Sequence, residues 1–268
     1  MGARKHRGAT PDAGALTRAC TAHAPPPRNV TTAGVALDTP ITGRLLRRYK
    51  RFLADIETDT GEELTVHCPD PGSMRGTARP GARVRCSTSE NPKRKLPHTL
   101  EMLRVGRTWV GVNTGRANAV AARALAAGCL RELSGYRLRE NEVVAEPGSR
   151  LDFRLSNHPR DPRPAWLEVK SVTLTDGGRV GLFPDAITSR GKRHLEVLTR
   201  RKNEGARAAL LFLVQRADCA CVAPADTIDP AYGEALRAAA AAGVELYALG
   251  ARITGRAIRV ERRLPVLL

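Results

Sequence analysis

The chain changes texture twice along its length. Residues 1–38 mix Ala, Pro, Thr and Arg with no sustained period of 2 or 3.6 and no aromatic residue. Such a stretch has little to bury, and it reads as a disordered N-terminal extension. Over residues 39–112 short β-like runs take over: ITGRLLRRYKRFLADIET, EELTVHC, ARVRCSTS and TWVGVNT. Breaks fall at Gly61, Pro69-Asp70-Pro71-Gly72, Pro80-Gly81 and Asn91-Pro92. Several short strands at close spacing predict a small barrel, and an OB-like barrel is the commonest solution of this size that binds nucleic acid.

Residues 113–268 show a different rhythm. NAVAARALAAG has a helical period, with Asn118 as the expected cap and Gly128 just past its end. YRLRENEVVAE, SRLDFRL and AWLEVKSVTL read as three strands, and TSRGKRHLEVLTRRKNEG as a helix with Leu195 and Leu198 on one stripe. ARAALLFLVQ is apolar throughout, as a strand buried on both faces must be. Asp229-Pro230 opens a helix that Gly243 closes, and VELYAL with a hairpin around Gly255 ends the pattern. The order predicts an α/β domain with a mixed sheet.

Charge narrows the partners. Lys and Arg number 44 against 27 Asp and Glu, a formal net charge of +17. That surplus favours polyanions, meaning nucleic acid or an anionic membrane surface. No apolar run approaches the roughly 20 residues that span a bilayer, and the basic N-terminus lacks the apolar core of a secretory signal. A cytoplasmic protein without membrane association is expected. The six cysteines are scattered without Cys-x-x-Cys spacing, so reduced thiols are expected too, with Cys219 and Cys221 on one strand face.

Chemistry concentrates in the second region. On a strand, positions i and i+2 share a face, so Glu168 and Lys170 project together. If SRLDFRL is a hairpin neighbour, Asp152 lies beside Glu168. Two adjacent carboxylates seat a hard divalent cation, Mg²⁺ or Mn²⁺, and a neighbouring lysine orients the attacking water in phosphodiester hydrolysis. The competing reading is a cross-strand ion pair on a solvated face; the flanking Leu151, Phe153, Leu167 and Val169 argue against it. Glu142 is a third metal ligand or a solvated glutamate. Gln215 reaches the site or merely ends its strand. His194 is a catalytic proton shuttle or a packed histidine. Asp185, Arg190, Lys192 and Arg193 surround a helix start, where cations and free N–H groups grip phosphate.

In the first region Arg47, Arg48, Tyr49, Lys50, Arg51 and Phe52 interleave cations with aromatics. Charge on both faces of a barrel strand suits a phosphate-tracking groove with a stacking ring, or else a solvated edge strand with a bulge. Lys93, Arg94 and Lys95 would extend that groove, with Ser73 and Arg75 as further phosphate contacts.

GRLLRRYKRFLADIE, VHCPDPGSM, NPKRKLPHTLE, VGVNT, SRLDF, EVKSVTL and FPDAITSRGKRHL together resemble the sugar fermentation stimulation protein A family, from about Ile41 to Leu268. The resemblance implies an N-terminal OB-like domain, a C-terminal domain of the PD-(D/E)xK nuclease class, and DNA binding. It places Asp152, Glu168 and Lys170 on that class's acidic and lysine positions. The sequence departs from the family at Asp70-Pro71, where Asn and a small residue are expected, and at Ser189, where an acidic residue is usual. Two functions stand open: a metal-dependent nuclease, or a non-catalytic, non-sequence-specific DNA-binding factor linked to sugar metabolism. DNA is the expected partner, with RNA left open.

Overall fold

The computed structural model describes residue 20 and residues 33–268. After a short leading strand, β1 (Gly34–Ala36), five strands build a barrel: β2 (Ile41–Tyr49), β3 (Leu53–Thr58), β4 (Glu63–His67), β5 (Arg83–Thr88) and β6 (His98–Val105). Their order is β4-β3-β2-β5-β6, closed by a parallel contact between His67 and Thr99, and β7 (Thr108–Gly111) continues from β6. This is OB connectivity. Alternate residues fill the interior, among them Leu45, Ala54, Ile56, Val66, Val84 and Leu103.

Two barrel details depart from expectation. The strand β6, HTLEMLRV, is absent from the predicted runs because Glu101 interrupts its apolar texture. That glutamate is only 2% exposed and accepts hydrogen bonds from Ser87, Asn113 and Arg116. In β2 the register slips between Leu45 and Arg47, so Leu46 is the extra residue of a bulge. Lys50 and Arg51 then take φ of +46° and +63° in the three-residue turn that joins β2 to β3. The run therefore does not carry its charges through one continuous strand.

The α/β domain begins with α1 (Gly115–Ala126). It continues through β8 (Leu138–Glu146), β9 (Ser149–Ser156), β10 (Ala165–Val172), β11 (Leu174–Thr175) and β12 (Val180–Phe183). Then follow α2 (Ser189–Asn203), β13 (Arg207–Val214), β14 (Cys221–Pro224), α3 (Pro230–Ala241), β15 (Glu245–Thr254) and β16 (Ala257–Leu264). Seven strands form a mixed sheet in the order β1-β16-β15-β13-β10-β9-β8, in which β13 runs parallel to both β10 and β15. β13 shows why its sequence is apolar throughout. Leu211 and Leu213 pack toward α1, while Leu210, Phe212 and Val214 pack toward α2 and α3. A second sheet, β11-β12-β14, lies outside the expected pattern.

The disordered extension expected over residues 1–38 is corrected at its end. Gly34–Ala36 pair antiparallel with Arg259, Ile258 and Ala257, giving the otherwise unpaired edge of β16 a partner. Glycine is needed there, because a Cβ at Gly34 would come within 2.2 Å of the Ile258 carbonyl oxygen. Apart from Cys20, residues 1–32 lie outside the described residues. The expectation of reduced thiols is corrected at Cys20 and Cys221, which form a disulfide with their Cα atoms 5.6 Å apart, inside the range such a bond spans. Cys68, Cys86 and Cys219 remain buried thiols.

The barrel and the α/β domain are tied together at several points. Ser73 Oγ donates to the Asp185 carbonyl at 2.6 Å, and the Met74 N–H donates to Asp185 Oδ2 at 3.0 Å. The Gly111 N–H reaches the Gln215 carbonyl at 2.9 Å, and Thr114 Oγ1 reaches the Pro69 carbonyl at 3.0 Å. Among the described residues no helix is long and apolar enough to cross a membrane.

Candidate active site

β9 and β10 pair from Ala165–Leu155 to Leu167–Phe153, and there their register ends. Just past that point the Val169 N–H donates to a side chain instead, Asp152 Oδ2 at 2.7 Å. The carboxylate thus satisfies a backbone donor that the ladder abandons. Its other oxygen, Oδ1, accepts from Asn118 Nδ2 at 2.8 Å, and the same amide reaches Glu142 Oε1 at 3.2 Å. The assignment of Asn118 as a helix cap is therefore corrected. The helix starts earlier, at Gly115, with Thr114 at its N-cap. Asn118 lies inside its first turns and joins two acidic side chains.

Glu168 and Lys170 project together from β10 as the strand period requires. Lys170 Nζ donates to Glu168 Oε1 at 2.6 Å, and His194, from α2, bonds the same oxygen through Nδ1. Arg190 Nε donates to His194 Nε2 at 3.4 Å. With Arg190 donating to Nε2, the Nδ1–H of His194 donates to Glu168. Glu168 is 3% exposed, and its second oxygen, Oε2, is buried with no hydrogen-bond partner among the described residues. The Tyr232 hydroxyl, on α3, is also buried without a hydrogen-bond partner among the described residues.

The two carboxyls are held apart in acidity. Burial, then the Glu168 charge, pushes Asp152 up to about 6, against hydrogen bonds from Val169 and Asn118. Burial also pushes Glu168 up, but the charge of Lys170 and the bond from His194 outweigh it, leaving this carboxyl below its ordinary value.

Beside this group opens a cleft of about 620 Å³, walled by Glu142, Val144, Ser149, Arg150, Ser189, Arg190, Arg193 and His194. Arg190 and His194 both line this cleft. Arg150, a lone arginine at a strand start, carries no sequence signal, whereas Arg193 enters the cleft from the helix start. Lys192 is corrected: it faces a separate groove shared with Ala231, Glu234 and Ala235 of α3. Glu142 joins the cleft wall, yet among the described residues no three His, Cys, Asp or Glu side chains converge as a metal-binding set.

The barrel cations divide. Arg47 is ion-paired with Asp55 and lies 4.9 Å over the Tyr49 ring, whose hydroxyl also reaches Asp55. Arg48 is withdrawn from nucleic-acid contact. Its guanidinium donates to the carbonyls of Arg51, Asp70, Gly72 and Ser73, which fixes the loop facing Asp185. Lys50, Arg51, Lys93 and Lys95 are exposed, whereas Arg94 bonds Thr99 Oγ1 at 2.9 Å. Gln215 is fully buried, donating to Ser171 Oγ at 2.8 Å. It ends its strand and joins the domains.

A family model described as the sugar fermentation stimulation protein RE domain matches residues 115–257, and one described as the SfsA N-terminal OB domain matches residues 46–112. The chain belongs to the SfsA family. An SfsA-family relative, the sugar fermentation stimulation protein homolog of Alkalilimnicola ehrlichii, is 52% identical over 233 residues, covering 85% of this chain and 98% of that protein. The homolog of Halorhodospira halophila is 52% identical over 225 residues, covering 83% and 93%. The solved structure of Pyrococcus furiosus SfsA in complex with Ca²⁺ matches with a TM-score of 0.78, covering 90% of this chain and 100% of that one. At 23% identity that likeness is one of fold. The SfsA architecture is thus an OB barrel followed by a restriction-endonuclease-like α/β domain.

Proposed function

We propose that the protein hydrolyses phosphodiester bonds in DNA with the help of a divalent cation, Mg²⁺ or Mn²⁺. The observation that carries this reading is Glu168 Oε2, a buried carboxylate oxygen without a partner among the described residues, beside an Asp152 carboxyl whose proton is held up to about 6. The Glu168 charge raises the Asp152 carboxyl, and a cation held between the two would relieve that repulsion. Asp152 and Glu168 would hold it, with Glu142 at the rim. A bound cation lowers the pKa of a coordinated water and polarises the phosphate. The Ca²⁺ in the description of the Pyrococcus furiosus protein is consistent with such a site.

The chain's own groups do the rest. Lys170 Nζ, anchored on Glu168 Oε1, presents a positive charge and N–H donors that orient an attacking water. Asn118 and the Val169 N–H hold Asp152 in one orientation. His194, locked between Glu168 and Arg190, fixes the Glu168 carboxylate and can accept a proton at Nε2 when Arg190 turns to a phosphate. Arg150, Arg190 and Arg193 neutralise the phosphates around the scissile bond.

A second reading, a DNA-binding factor without turnover, draws on the absence of a three-ligand metal set among the described residues. One experiment separates the two. Labelled single-stranded, duplex and branched DNA are incubated with the protein in Mg²⁺ or Mn²⁺, beside EDTA and the Lys170→Ala variant. Cleavage is expected from the wild type with metal, falling at least about 10²-fold in the variant. Binding of all three substrates without cleavage would establish the second reading instead.

A further inference from the structure

The barrel hairpin and the cleft are linked by a succession of contacts. Arg48 connects the hairpin to the 70–73 loop by bonding the carbonyls of Arg51, Asp70 and Gly72. That loop is seated on Asp185, so closely that a Cβ at Gly72 would come within 2.2 Å of Asp185 Oδ1. Asp185 in turn lies just before Ser189 and Arg190 of the cleft wall. Hairpin, loop, Asp185 segment and cleft therefore follow one another without a gap.

Along this line exposed arginines and apolar side chains stand among Ser73, Ser189 and the acidic Glu142. Arg75 is exposed beside the clasped loop, and Arg190, Arg193 and Arg150 wall the cleft. Between and beside these cations stand apolar groups facing solvent: Phe52 at the hairpin, 43% exposed; Ile187 between clasp and cleft, 82% exposed; and Val144 in the cleft wall, 57% exposed. These are three of the five large hydrophobic side chains exposed among the described residues. Single exposed apolar residues are ordinary. Three along this run of contacts, with arginines among them, fit an occupant that is anionic and apolar in alternation.

Resting on the DNA reading above, we propose that the substrate is a single strand, laid from the barrel hairpin across the 185–188 segment into the cleft. Its phosphates pair with the arginines and its bases rest on Phe52, Ile187 and Val144. A duplex keeps its bases stacked inside and offers such shallow side chains only phosphate and sugar; a single strand turns its bases outward. The +17 net charge supplies the attraction that both forms share.

The test is fluorescence anisotropy in EDTA, with a labelled 20-nucleotide oligothymidylate and a 20-base-pair duplex as probes, at one salt concentration. The single strand is expected to bind about tenfold tighter or more. The double variant Phe52→Ala/Ile187→Ser should lose that margin while duplex affinity stays within about twofold, since sequence-independent phosphate contacts remain. Both side chains are exposed, so an unchanged thermal midpoint confirms that the variant is folded. Equal affinity for the two probes, failure to bind either, or an equal loss on both in the variant overturns the proposal. A parallel Mg²⁺ assay keeps it apart from the proposed chemistry. Cleavage of duplex with no single-strand preference sinks this inference alone, and single-strand preference without cleavage sinks the nuclease reading alone.

Discussion

The surroundings of Asp70 give its charge a measurable sign. Its carboxyl is buried in the loop that Arg48 organises, accepting the Gly72 N–H at 2.8 Å. Burial, helped by the Asp185 charge, pushes it up to about 6. The folded state then holds this proton more tightly than the unfolded chain, whose carboxyl titrates near 4. Stability from this group is full below about pH 4 and is lost as pH rises through 6. Asp70→Asn keeps an acceptor for Gly72 and removes the charge. We expect a gain of roughly 1–3 kcal/mol at pH 7.5 and none at pH 4, read from urea denaturation at the two pH values. The same gain at both would refute the assignment. Asp152 carries a similar shift, so a proton competes there with any cation. Mg²⁺ or Mn²⁺ should raise the thermal midpoint by about 5 °C or more at pH 7.5, clearly less at pH 5, and not at all in Asp152→Asn. At this scale Asp152, Glu168 and Lys170 were legible, because strand period and apolar flanks constrain where such side chains point. Asn118 and Arg48 were not. An asparagine near a helix start ordinarily caps it, and an arginine beside aromatics ordinarily faces solvent. Only tertiary partners reveal that one joins two carboxylates and the other binds backbone carbonyls.

Elements depend on contacts of the same kind. The 70–74 loop is stationed by Arg48 on one side and Asp185 on the other, and Gly72 is the point of closest approach. Gly72→Ala should cost about 1–3 kcal/mol through overpacking against Asp185, and should expose the loop to protease cleavage. A variant as stable and as protease-resistant as the wild type would show that the clasp does not hold the domains. Most strands were visible as short runs between Gly and Pro breaks, and α3 announced itself through Asp229-Pro230. β6 was hidden by Glu101, whose charge is affordable in the interior only because Arg116 arrives from α1, at a distance that no local pattern encodes. β1 was hidden for a related reason: three residues show no period, and only the open edge of β16 makes them a strand.

For the molecule as a whole, the excess of positive charge acts through the few cations that touch phosphate. If Arg75, Arg150, Arg190 and Arg193 each engage one, the logarithm of single-strand affinity should fall against log salt with a slope of about −3. A titration from low to high KCl reads that slope, and a flat line would remove the arginine path from binding. The pairing of β1 with β16 has a consequence in time. Ala36 leaves the ribosome long before its partner Ala257 is synthesised, an interval on the order of 10–45 s at ordinary translation rates. The barrel strands are contiguous in the chain and can close within that interval. The segment made first is thus among the last to be used, and its brevity leaves a nascent chain little exposed edge through which to pair with a neighbour.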